Sequence, residues 1–483
     1  MLFNSYGYLL FLLAAIILHW ALPHRFRIYL LCVLSIAFYA MWRWEFALVM
    51  IFSAFVDFSA SKMIIKSESR GGRRGWLLVS LVVNLGLLIF FKYSYFIHDN
   101  VAFITHLIGI ELPEMTLKII LPLGISFYTF QTISYTIDVF RKVIEPTNDF
   151  IVFLTYVTFW PQLIAGPVLR AKEVLPQLIA RREVTYADIT AGIERILFGL
   201  FKKVVLADNI ARFVDVAFSL DPNVLSAFDV WVGTILFGFQ IYFDFSGYSD
   251  VAIGSARLLG IRFPENFNWP YMALDPRDFW KRWHISLSAW IRDYLYLPLT
   301  KQEFKTNSTG GIAVATESTG RQKDIALFTT WFIMGLWHGA GWTFAVWGVY
   351  HALLIFVYRR SSGLQKLSQK IPVVAWGIMF LLSMAGWIPF RANSLDQTLS
   401  MFQIILNPSQ YNILNRSLVG YAYISTAMLM VGMLGTYLVR HYYSKTDRFK
   451  SRMVVGKVFV VSTLVVLIFI YLQPVRQFIY FQF

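Results

Sequence analysis

Charge is scarce in this sequence. Only 15% of its 483 residues are Asp, Glu, Lys or Arg, where a soluble globular domain carries about 25%. That deficit excludes a chain that shows most of its surface to water. Cysteine is nearly absent: Cys32 stands alone, which excludes an intrachain disulfide and a thiolate metal cluster. Its place inside an apolar run reads as a buried, inert thiol rather than a nucleophile. There is no H-E-x-x-H pattern and no carboxylate-rich loop, so no metal site is expected. Internal repeats and soluble-domain stretches are also missing, and residues 1–483 read as a single membrane-embedded domain.

What is present is apolar and aromatic. Hydrophobic residues make up 57% and aromatics 18%, with 16 Trp and 25 Tyr; the mean hydropathy is +0.57. Rings with a polar handle suit the membrane–water boundary. Apolar runs cover 5–22, 28–42, 46–65, 76–91, 119–140, 151–168, 191–219, 225–243, 325–345, 346–358, 373–390, 420–440 and 453–472. Several are broken by Pro122, by Pro161 with Gly166 and Pro167, or by Gly247. Broken helices at membrane depth are tolerated where protein or a cavity surrounds them. The expected fold is therefore an all-α integral membrane protein with roughly 10 to 12 transmembrane helices plus re-entrant and amphipathic pieces. The first 20 residues lack a basic n-region and a small-residue cleavage site, so they read as an uncleaved first span.

The net charge of +15 sits in short clusters between apolar runs, which suits the positive-inside rule and anionic headgroups rather than nucleic acid. Arg25 and Arg27 follow the first run, and Lys66, Arg70, Arg73 and Arg74 the third. Placing both loops in the cytoplasm puts residue 1 outside. Lys445, Arg448, Lys450, Arg452 and Lys457 precede the last run, which puts the tail 473–483 outside as well. The polar stretch 301–324, rich in Gly, Ser and Thr, reads as a mobile loop.

Two segments carry the chemistry. At about 100° per residue, one helix over Asp278 to Leu295 would put Trp280, Trp283, His284, Leu287, Trp290, Ile291 and Tyr294 on one face. Asp278, Lys281, Arg282, Arg292 and Asp293 would share the other. His284 is the one ionisable group on the aromatic face; a packed histidine with one hydrogen bond is the plain alternative. The second segment is Trp331 to Trp342, where His338 lies in an apolar run among Gly335, Gly339, Ala340 and Gly341. An ionisable residue there is a functional candidate, and small neighbours let a backbone or substrate approach. The alternative is a tight helix seam with His338 as its polar glue. Histidine suits acyl transfer because its ordinary pKa near 6.5 lets it take a hydroxyl proton and return it. His351 falls about 140° from His338 on a continued helix and reads as structural. Asp244 and Asp250, near Gly247, suggest a cavity or a capping turn, with Asn266 at the same entrance. Phe478-Ile-Tyr480-Phe-Gln-Phe483 reads from composition as an aromatic anchor at the outer headgroups.

Taken together, Leu121 to Phe130, Tyr242 to Asp250, Phe279 to Ser288 and Trp337 to Ala340, in this order, resemble the membrane-bound O-acyltransferase superfamily, in its alginate O-acetyltransferase-like branch. The resemblance covers nearly the whole chain. It implies tilted helices around a central tunnel, His338 as catalytic histidine and His284 as its companion, with Trp337 at the site. It implies acetyl-CoA as a cytoplasmic donor, no permanently bound cofactor, and placement in a bacterial inner membrane. The acceptor would be an exported or cell-envelope polysaccharide, reached directly or through an extracytoplasmic acetyltransferase partner. The last six residues resemble the F-x-Y-x-x-F ending of a small partner peptide in teichoic acid D-alanylation, which makes Tyr480 a candidate acyl relay. One departure stands out: a Gly-Gly-Asn-Arg turn common in the family is replaced after Leu299 by Thr300-Lys-Gln-Glu-Phe304 and a longer loop. The competing readings are a polysaccharide transporter, which shares broken helices and buried polar groups, and a non-catalytic envelope scaffold.

Overall fold

In the computed structural model, the described residues are 2–163, 166–300, 303–305, 312–314, 319–412, 416–443, 453–472 and 478–479. Helix dominates throughout. The exception is a two-stranded antiparallel ribbon, Glu303–Lys305 against Ile312–Val314, inside the polar loop. The helices that build the site are, in chain order, α1 (Trp44–Lys66), α2 (Arg70–Leu88), α3 (Ile125–Phe140), α4 (Tyr186–Leu200), α5 (Ala227–Leu258), α6 (Pro276–Arg282), α7 (Ile285–Ile291), α8 (Gly320–His338), α9 (Trp342–Arg360), α10 (Pro372–Arg391) and α11 (Met453–Tyr471).

Among the described residues, four helical stretches are long and apolar enough to cross a membrane by length and composition. They are Trp44–Lys66, Arg70–Leu107, Pro372–Arg391 and Gly420–Val439. Inner helices miss that measure for a physical reason. Protein rather than lipid surrounds them, so they can carry polar groups. The 32 residues of α5 reach about 48 Å, and the helix is buried along most of its length although it contains Asp229, Asp244 and Asp250. Its start is fixed by a capping box, Ser226 with Asp229.

Two small-residue seams set the helix packing. Where α4 crosses α5, a Cβ on Gly247 would come within 2.7 Å of the Gly199 carbonyl oxygen, and one on Gly254 within 2.6 Å of that of Gly192. Where α8 doubles back into α9, a Cβ on Gly335 or Gly348 would collide with the facing backbone at Phe344 or Trp331. Small residues here let backbones touch, as in other membrane bundles. A polar knot ties α1, α2 and α3. The buried Asp57 carboxylate accepts from Thr136 Oγ1 at 2.8 Å, from Asn84 Nδ2 at 2.8 Å and from Ser80 Oγ.

The single helix expected over 278–295 does not form. The chain breaks at Trp283 and His284 between α6 and α7, and a π-helical turn, Arg292–Tyr296, follows. His284 adopts a left-handed φ of 41°, which non-glycine residues seldom take. Asn266 compensates. Its backbone oxygen accepts from Ile285 N at 2.9 Å, and its side-chain oxygen from Ser286 N at 3.3 Å. These are N–H groups that a new helix start leaves open. The expected charged face is broken too, because Asp293 is buried and paired with Arg170 at 2.7 Å and Arg292 at 2.6 Å.

Candidate functional site

His338 is the last residue of α8. Gly339 to Gly341 then turn the chain into α9, so the angular extrapolation from His338 to His351 does not apply. The turn instead brings both rings to one indole. Trp347 lies 4.9 Å from the His338 ring and 4.8 Å from the His351 ring, centroid to centroid. Trp337 at 4.9 Å and Phe390 at 5.3 Å complete the wall around His338, which is only 4% exposed. His351 stands further into a tryptophan cage, against Trp280 and Trp331.

A helix leaves its last four carbonyls without intrahelical partners. Here three of them are met from the π-helical turn Ile89–Tyr93, which continues α2. Lys92 Nζ donates to Trp337 O at 2.5 Å and to His338 O at 3.1 Å; Tyr93 Oη donates to Leu336 O at 2.9 Å. A cation at a helix C-terminus also complements the helix dipole. Sequence reasoning passed over Lys92. The available signal was a lone lysine deep in an apolar stretch.

His284 is fully buried at the break between two seven-residue helices that do not span the membrane. Its Nδ1 lies 3.1 Å from Asn266 Oδ1. That oxygen also accepts from Ser286 Oγ at 2.8 Å, while Asn266 Nδ2 donates to Ser249 Oγ at 3.2 Å. The amide is thereby oriented with its oxygen toward the ring, so Nδ1 must carry the proton and Nε2 the lone pair. Nε2 has no hydrogen-bond partner among the described residues. Burial lowers the pKa of this imidazole to about 3, so it is neutral across the physiological range.

The two histidines share a neighbourhood. Phe127 stacks against His284 with centroids 6.4 Å apart and meets Trp337 edge-on at 5.9 Å. His284, Lys92 and His351 are all near enough to act electrostatically on His338. Trp337 also stacks on Phe130 at 5.1 Å. The other candidates divide. Asn266 belongs to the site as the partner of His284. Asp250 lies at an ion cluster with Arg195 at 2.5 Å and with Lys202. Asp244 lies 2.7 Å from Lys203 Nζ and accepts from Ile479 N at 2.7 Å. Tyr480 is outside the described residues, but Phe478 and Ile479 are buried inside the protein. Phe478 packs 4.5 Å from Tyr248 and 5.5 Å from Phe245, and Phe245 meets the His284 ring edge-on at 4.6 Å.

One cavity escaped the sequence reading. It holds about 270 Å³ and is lined by Arg141, Arg170, Lys172 and Arg292 and by as many carboxylates, Asp138, Glu173, Glu265 and Asp293. Ile285 and Ser286, immediately after His284, form part of its wall. Its basic residues come from three separated stretches, so no local run announces them. Arg73, at the start of α2, donates to Phe140 O at 2.9 Å, next to Arg141.

This arrangement of a histidine at a helix hairpin, a second histidine at a helix break and a mainly helical apolar body defines a class. Residues 139–388 match the model of MBOAT, the membrane-bound O-acyltransferase family, and the chain belongs to that family. It is a multi-pass membrane O-acyltransferase. It is similar to a probable alginate O-acetylase, AlgI, of Azotobacter vinelandii, with 37% identity over 92% of this chain and 86% of the relative. It is also similar to the peptidoglycan O-acetyltransferase of Helicobacter pylori, with 35% identity over 77% and 72%. Similarity to a teichoic acid D-alanyltransferase of Bacillus subtilis is 29% over 53% and 63%.

Proposed function

We propose that this enzyme moves an acetyl group from cytoplasmic acetyl-CoA across the bacterial inner membrane for O-acetylation of an exported or cell-envelope polysaccharide. The observation that carries the reading is the pair of buried histidines joined through Phe127 and Trp337, beside a cavity lined by charged residues of both signs. Arg73, at the start of α2 in the basic stretch that the positive-inside rule assigns to the cytoplasm, bonds to Phe140 O next to the cavity residue Arg141. Arg141 and Lys172 are cations there that the phosphates of the donor could meet, and the wall residues Ile285 and Ser286 lead directly to His284. The names of the relatives favour acetyl and a polysaccharide acceptor.

In the transfer step, His338 removes the proton of an acceptor hydroxyl as its oxygen attacks the thioester carbonyl. The carbon–sulfur bond breaks, and the thiolate takes up the proton from His338. His284 orients the site: its Nε2 lone pair is open to a hydrogen-bond donor of the bound reactants other than the reacting hydroxyl, whose single proton goes to His338. The first acceptor is the Tyr480 hydroxyl, and an extracytoplasmic partner passes the acetyl group on to the polymer. In membranes carrying the His338→Ala variant, acetyl transfer from labelled acetyl-CoA is expected to fall at least 100-fold, while the protein still inserts. Undiminished polymer acetylation by that variant would sink the assignment. Acetylation that persists in Tyr480→Phe would remove the relay and leave the rest.

A further inference from the structure

Asp244 and Lys203 form an ion pair that is expensive where it stands. The two residues are 2% and 3% exposed, and Asp244 lies 14 residues, or about 21 Å, from the Leu258 end of α5. A buried pair is weak evidence of stabilisation, and a charge inside a membrane protein marks function more often than not. Lys203 lies in a π-helical segment, Phe201–Ala207, that continues α4; such segments gather at functional sites. The glycine seam brings it close. A Cβ on Gly247 would come 3.1 Å from Lys203 N. Lys203 Nζ also holds Asp208 at 2.8 Å.

A backbone group from outside these helices joins the cluster. Asp244 Oδ2 accepts from Ile479 N at 2.7 Å, a charge-assisted bond to backbone, which is among the stronger kinds. Beside it, Phe478 is wholly buried on Tyr248 and Phe245. Phe245 in turn touches His284.

We propose that Asp244, held by Lys203, is a positioning residue that anchors the chain at Phe478 and Ile479 against the His284 side of the site. The anchor is the backbone of Ile479, the residue before Tyr480 in the sequence. The purpose of the anchor rests on the acyl-relay reading; its geometry does not.

The test puts photoreactive azidophenylalanine in place of Phe478 in the full chain and maps its crosslinks. In the parent, the expected crosslink is to α5 around Phe245 and Tyr248. Asp244→Ala should lower its yield at least tenfold. Because that variant leaves Lys203 with one partner fewer and could fail to fold, Ile479→Pro is the second arm. It removes the donor N–H and leaves the ion cluster whole, and it too should lower the yield tenfold. Ile479→Ala, which keeps the N–H, should retain the crosslink. Unchanged crosslinking in Ile479→Pro overturns the proposal, and so does an equal loss in Ile479→Ala, since apolar burial alone would then hold the tail. Acetyl transfer is read in the same variants. A released tail with transfer intact leaves the anchor standing and removes Tyr480 as carrier.

Discussion

Asn266 determines which nitrogen of His284 faces the reactants. Its oxygen collects the Nδ1 proton and the Ser286 hydroxyl, which fixes the imidazole as an acceptor at Nε2. Asn266→Asp keeps the shape and the acceptor oxygens but adds a charge that favours the imidazolium. Asn266→Leu removes the constraint altogether. Both variants are expected to lower kcat by 10- to 100-fold with little change in KM for the donor, measured in proteoliposomes. Partners that fix the tautomer and direction of a working histidine are worth about 10- to 100-fold. A rise in KM alone would instead place Asn266 in donor binding. The two histidines stood out in the sequence because an ionisable group in an apolar run is conspicuous. Their relation did not. A helix over 278–295 put His284 on a regular face, and only the left-handed turn and the distant Asn266 explain where its ring points. Lys92 shows the converse. It was equally conspicuous as a lone cation, yet its partners are backbone carbonyls, which leave no trace in a pattern of side chains.

At the scale of helices, the C-terminus of α8 is where stability and chemistry meet. Lys92 and Tyr93 satisfy three successive carbonyls, those of Leu336, Trp337 and His338. Lys92→Met keeps the stem but orphans two of them, at a cost of about 1–3 kcal/mol. The expected result is a lower unfolding temperature and at least a tenfold loss of transfer, followed by thermal unfolding and labelled-acetyl assays on one preparation. Full activity in this variant would mean that His338 is held by its aromatic neighbours alone. The seam between α4 and α5 gives a second contrast. Gly247→Ala forces a methyl group onto the Gly199 carbonyl and should cost about 1–3 kcal/mol or more, whereas nothing lies within 4 Å of a Cβ on Gly377. Gly377→Ala should be neutral or slightly stabilising. Equal melting behaviour of the two variants would remove the seam as a packing constraint. Apolar runs anticipated most helices here, but hydropathy could not rank inner against outer ones. Helix α5 is buried along most of its length although it carries Asp229, Asp244 and Asp250.

For the molecule as a whole, composition was enough to read a membrane protein, and four short motifs in order were enough to read its family. The charged cavity was not legible, because Arg141, the Arg170–Lys172 stretch and Arg292 become neighbours only after the chain has folded. Charge counting put 473–483 outside, and composition suggested an aromatic anchor among headgroups; of that stretch, Phe478 and Ile479 are buried against other side chains of the protein. That burial makes Phe478 and Ile479 a covalently attached occupant of the place beside Tyr248, Phe245 and Asp244. Attachment through the chain can confer an effective concentration of about millimolar. A separate peptide carrying these two residues must therefore outcompete an occupant that never diffuses away. Exchange at this position is then governed by how often that occupant lets go, and not by how much competitor the surroundings supply.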